Sequence, residues 1–228
     1  MTGLPRFVLV HGAGDSGWYW HLVEAELRER GFETAAPDLP DGETSLVACA
    51  DRVVEAGAGA DEVVVVGQSF GAFAATLAAA RLPTEMLVYV AGMVPKAGES
   101  PAHWWSAVDY SGAVREQAAL DGGLTGHEDP HVAFFHDVPR GLAEEAMARE
   151  RTGTLTDEDR PLDALPPVHT EFVLCTDDRF FPAALMRRVV ADRLGIVPDE
   201  IASGHCVALS RPAELASLLS GYVERDSS

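Results

Sequence analysis

The chain has 228 residues, 47% of them hydrophobic, which suits one domain with a sizeable core. Seventeen lysines and arginines against 36 aspartates and glutamates leave a net charge of −19, which argues against nucleic acid or an anionic membrane surface as partner. No stretch approaches the roughly 18 apolar residues of a membrane helix, and the cysteines at 49, 175 and 206 form neither a disulfide framework nor a zinc pattern.

The opening Met1-Thr2-Gly3-Leu4-Pro5-Arg6 lacks the charged and long apolar regions of a secretory leader. With the widely spaced cysteines, this predicts a reduced, cytoplasmic protein. A first strand is predicted over 7–10, followed by the small-residue turn His11-Gly12-Ala13-Gly14. A helix is predicted over 18–30, a strand over 34–36 and a helix over 45–56. The next strand, 62–66, contains four consecutive valines and runs straight into Gly67-Gln68-Ser69-Phe70-Gly71. Alanine-rich sequence behind it predicts a helix over 70–81. A buried strand, a G-x-S-x-G turn and a helix form a nucleophile elbow, in which a sharp turn lifts the serine hydroxyl clear of the sheet edge. Ser69 is therefore the candidate nucleophile. The competing reading makes it a plain helix N-cap. A strand over 86–91 follows.

The alternation of strands and helices breaks between 94 and 166. This segment holds Trp104-Trp105, glycines at 122, 123 and 126, four histidines and a helical piece over 142–151. Long insertions at strand ends carry binding function disproportionately, so Trp104 and Trp105 are candidate walls of an apolar pocket. His127, Glu128, Asp129, His131, His136 and Asp137 invite a metal reading. A histidine pair four residues apart chelates when helical, and Pro130 and Gly126 oppose a helix there, so no metal is expected.

Beyond the insertion, a strand over 170–175 runs out into Thr176-Asp177-Asp178-Arg179, and a helix is predicted over 182–194. A short strand over 200–202 leads to Ser203-Gly204-His205-Cys206. The last helix, 213–223, has Leu215, Leu218, Leu219 and Tyr222 at helical spacing. His205 is the one histidine of eight that follows the last strand, the position of a base serving Ser69. The whole pattern predicts a mostly parallel sheet with helices on both faces, without internal repeats.

From Phe7-Val8-Leu9-Val10-His11-Gly12-Ala13 through the elbow to Gly204-His205, the chain resembles a small α/β-hydrolase. It is most similar to the branch containing plant methylesterases and hydroxynitrile lyases. The resemblance implies a single domain over 1–228 with a cap insertion at about 95–166, between the sixth and seventh strands of the family. It lacks the antiparallel strands that precede the first strand of larger relatives. It implies Ser69 as nucleophile, His205 as base and Asp178 as acid, with Asp177 as the rival. The family's acid is usually the last carboxylate of its turn, shortly before a proline, which favours Asp178 with Pro182. It places the oxyanion donors on the backbone of Ala13 and Phe70, and leaves His11 a structural role.

The implied activity is that of a serine esterase acting on a small, fairly apolar carboxylic ester through an acyl-enzyme, without metal or organic cofactor. Two other readings stay open. The lyases of this branch have a lysine directly after the catalytic histidine and a threonine in the oxyanion turn, where this chain has Cys206 and Gly12. A non-catalytic binding protein on the same fold typically loses the triad that Ser69, Asp178 and His205 make up here.

Overall fold

The computed structural model describes residues 3–158, 160 and 162–226. Met1 and Thr2 of the opening stretch, and the outer limits of the expected 1–228 domain, lie outside the described residues. In chain order the elements are β1 (Arg6–Val10), a 3-10 turn (Gly17–Trp20), α1 (His21–Glu29), β2 (Thr34–Ala35), β3 (Gly42–Thr44), α2 (Leu46–Gly57), β4 (Val63–Gln68), α3 (Gly71–Ala79) and β5 (Thr84–Val90). Then come α4 (Pro101–Ala107), α5 (Tyr110–Asp121), α6 (Pro130–Ala133), α7 (Arg140–Ala148), β6 (Gly153–Leu155), β7 (His169–Cys175), α8 (Ala183–Leu194), β8 (Asp199–Ile201), α9 (Val207–Ser210) and α10 (Pro212–Asp226).

Six strands form one sheet in the order β2-β1-β4-β5-β7-β8, and all of its pairings among the described residues are parallel. Successive strand residues point to opposite faces. Phe7, Leu9, Val64 and Val66 pack with Val23 and Leu27 of α1 and Leu215 and Leu219 of α10. Val8, Val10, Val63 and Val65 pack with Val53 of α2, Phe73 of α3 and Leu185 of α8. The unbroken valine run of β4 reflects burial on both faces, as in a central parallel strand. Serine chemistry sets the start of α2, where Ser45 Oγ accepts the Ala48 N–H at 3.1 Å.

The fold class matches the expectation from the sequence, and strand and helix positions agree to within a few residues. Over 18–30 the chain opens as a 3-10 turn before the α-helix begins at His21. Between β5 and β7, the fourth and fifth strands of the main sheet in chain order, lie α4 to α7 and β6. Unanticipated by any sequence pattern, β6 pairs in parallel with β3, with Gly42 opposite Gly153. The insertion is tied down near its start by a buried ion pair, Arg193 Nη2 to Glu99 Oε1 at 2.9 Å. Further on, the Arg151 N–H donates to Gly14 O at 3.0 Å, which fixes the end of α7 over the turn after β1. Among the described residues, no helix is long and apolar enough to cross a membrane.

Candidate active site

Ser69 sits where β4 turns into α3, with φ of +50°. A non-glycine residue there is strained, and such strain persists only where its surroundings over-determine it. The Ser69 N–H donates to Val90 O at 3.2 Å, and Ser69 O accepts from Ala72 N–H at 3.2 Å and Met93 N–H at 3.0 Å. The flanking glycines are required by contact. A Cβ on Gly71 would collide with His11 O, and one on Gly67 would lie 2.8 Å from Ala72 Cα and Ala75 Cβ. The helix thus starts pressed against the end of β1. The N-cap position of α3 is Phe70, without a side-chain capping bond, so Ser69 does not serve as the cap. Among the described residues Ser69 Oγ makes no hydrogen bond.

His205 follows β8 in a loop at the same sheet edge. Its Nδ1–H donates to Asp178 Oδ2 at 2.7 Å, with both side chains buried. The other carboxylate oxygen of Asp178 accepts from the N–H groups of Phe180 at 2.7 Å and Phe181 at 3.0 Å. Asp178 is thus fixed by its own turn before it meets the imidazole. Asp177, one residue earlier, is exposed and turned away, its backbone N–H held by Ser203 O at 3.0 Å. The insertion braces both turns. Asp137 Oδ2 accepts the Gly204 N–H at 2.8 Å, and His136 Nε2–H donates to Asp177 O at 3.0 Å. Phe134, Phe180 and Phe181 fence the His205 ring edge-on, at centroid distances of 5.6, 5.1 and 5.3 Å.

His11 has a structural place, as expected. It is buried, its Nε2 accepts the Leu39 N–H at 3.0 Å, and its Nδ1–H donates to Gly12 O at 2.8 Å. Burial lowers its pKa, so the neutral ring acts as a brace for the turn that carries Ala13. Ala13 and Phe70, the expected oxyanion donors, both line a cavity of about 380 Å³ that also contains Ser69 and His205. They also line an adjoining cavity of about 270 Å³ that extends towards β6.

The two tryptophans separate. Trp105 lines both cavities. Trp104 is fully buried in the core with its Nε1–H donating to Val94 O at 3.0 Å, so it is not a cavity wall, which corrects that expectation. Neighbouring residues on a helix point about 100° apart, and α4 turns only one of the pair towards the cavity. The histidines at 127 and 131 do not share a helix, since α6 begins at Pro130 and Asp129 caps it. Among the described residues, no group of three or more His, Cys, Asp and Glu is arranged to hold a metal ion.

Three polar residues of the cavity carried no sequence signal. Gln68 lies beside His205, Asp15 lines both cavities, and Glu150 lines the larger one. Phe134 and Phe180, which also line it, carry no sequence signal either. Burial raises the Asp15 carboxyl to about 7, against the opposing pull of His205 and with a further push from Glu150. The folded chain therefore keeps a proton that the unfolded chain releases near pH 4, and this part of its stability is lost as pH rises from about 4 to about 7. Asp15→Asn should remove that loss, leaving the variant more stable than wild type at pH 8 by on the order of 2–4 kcal/mol, with little difference at pH 4. Urea unfolding at both pH values checks this, and equal differences at the two would contradict it.

Comparisons with known proteins follow the same lines. Residues 7–218 match the model of a family described as "Alpha/beta hydrolase family". Norfluorocurarine synthase 1 from a Strychnos species is 23% identical over 96% of each chain, and methylesterase 7 from Arabidopsis thaliana is 28% identical over 94% of each. The crystal structure of polyneuridine aldehyde esterase superposes with a TM-score of 0.78 at 19% identity, covering 96% of this chain and 99% of that one. With the family model spanning nearly the whole chain, the protein belongs to the alpha/beta hydrolase family.

Proposed function

We propose that the chain is a serine hydrolase that cleaves small, fairly apolar carboxylic esters through an acyl-enzyme. The observation that carries this reading is the 2.7 Å bond from His205 Nδ1 to buried Asp178, with His205 sharing one cavity with a strained Ser69 whose hydroxyl makes no hydrogen bond among the described residues. Ser69 Oγ attacks the ester carbon as His205 Nε2 takes its proton. The N–H groups of Ala13 and Phe70 stabilise the oxygen that becomes negative. The imidazolium, held by Asp178, then protonates the leaving alcohol, and water repeats the cycle to release the acid. Trp105, Phe134, Phe135 and Phe180 make the cavity mostly apolar, which supports an apolar acyl or alcohol group. Residues 95–166 serve as its cap, within a single domain. Relatives named methylesterase and esterase support the same reaction class. Three free cysteines support a reducing, cytoplasmic setting.

The lyase alternative has less support. Cyanide leaving as an anion calls for a cation, and Cys206 beside the base is a buried thiol whose pKa burial pushes up, so it stays uncharged. A side chain at position 12 would press on Gln68 Oε1, so a threonine there would require Gln68 to shift, and the glycine present offers no hydroxyl. Short p-nitrophenyl esters should therefore be hydrolysed, with the rate falling on the acid side as His205 takes up a proton. Mandelonitrile cleavage should stay at the level of a Ser69→Ala control. Cyanide release above that control without ester turnover would reverse the assignment.

A further inference from the structure

Gln68, one residue before the proposed nucleophile, is almost fully buried at the end of β4. Its Nε2 lies 3.2 Å from His205 Nε2. Among the described residues its Oε1 is buried without a hydrogen-bond partner, against the turn after β1, where Gly12 has no Cβ to obstruct it. His205 Nδ1 carries its proton towards Asp178, so the Nε2 of the neutral ring presents a lone pair, and the amide end that fits it is NH₂. That lone pair is the one that must receive the Ser69 proton.

Resting on the triad reading above, we infer that Gln68 is a positioning residue that holds the free base neutral and in the productive tautomer by donating an amide N–H to His205 Nε2. It yields this position to Ser69 when substrate fills the cavity. Once Nε2 is protonated, an NH₂ facing it sets donor against donor, so the resting amide favours the neutral ring over the imidazolium.

The charged or titratable groups around His205 are Asp178 from the β7 turn, Asp15 from the β1 turn, Glu150 and Asp137 from the insertion, and Cys206 in its own loop. All are unchanged in variants at position 68, so a difference between those variants reports on the amide. The test is the acid limb of kcat/KM for a p-nitrophenyl ester in wild type, Gln68→Met and Gln68→Glu. Methionine removes a bond to the neutral ring, so the limb should move up by about half a pH unit to one pH unit. A glutamate favours the imidazolium, so Gln68→Glu should move it up by about one unit or more, a roughly tenfold loss at a fixed pH on that limb. Limbs within about 0.2 units of wild type in both folded variants would overturn the inference, since a merely packed glutamine makes no such shift.

A second readout needs no variant at position 68. In the wild-type protein the Gln68 side-chain amide resonances should titrate with the same midpoint as the His205 ring, and a flat response would overturn the inference. Failure here leaves the triad reading standing if Ser69→Ala still abolishes turnover. Unchanged turnover in His205→Ala would instead remove the reading on which the inference rests.

Discussion

Replacing Ser69 by alanine is expected to lower ester turnover by about a thousandfold or more, the scale on which removing a triad nucleophile acts. The hydroxyl makes no hydrogen bond among the described residues, so its loss leaves no buried partner unsatisfied. Alanine also keeps a Cβ at a φ the backbone already tolerates. The variant should therefore unfold close to the wild-type temperature while losing activity. Thermal melts and p-nitrophenyl ester kinetics on the same preparation check both parts. Retained turnover in a folded variant would remove Ser69 from the chemistry.

The second large effect separates two adjacent carboxylates. Asp178→Asn replaces an acceptor of the His205 Nδ1–H, so the imidazole loses the partner that selects its tautomer, and turnover should fall by on the order of 10³–10⁴-fold. The asparagine can still accept the Phe180 and Phe181 N–H groups through its carbonyl oxygen, so the turn itself should hold. Asp177→Asn alters an exposed side chain that does not reach the ring, and a change of less than about threefold is expected, in line with surface substitutions. Kinetic constants for the two variants side by side make the comparison. A reversed ranking would make Asp177 the working acid, and equal small losses would put the whole constellation in doubt.

What was legible in the sequence was what is local. The valines of β4, the glycines of the elbow and the alanines of α3 state a strand, a sharp turn and a helix within 17 consecutive residues, so the nucleophile position could be read directly. The β-turn-α units on either side were legible for the same reason. The pairing of β3 with β6 joins residues more than a hundred positions apart through two three-residue strands, too short for any periodic signal. α5 buries none of its residues, so it has no apolar stripe to betray it. Trp104 and Trp105 are the same residue type in adjacent positions, and only the direction of α4 sends one to the core and the other to the cavity. Gln68 and Asp15 become chemically informative only once the fold brings each of them to His205.

The most direct test of the acyl-enzyme account is to react the native protein with a fluorophosphonate and locate the adduct by peptide mass spectrometry. The account predicts one stoichiometric adduct, on Ser69 in the peptide containing Gly67-Gln68-Ser69-Phe70-Gly71, absent in Ser69→Ala and strongly slowed in His205→Ala. An adduct on another residue, or turnover of ester by a protein that carries none, would contradict it.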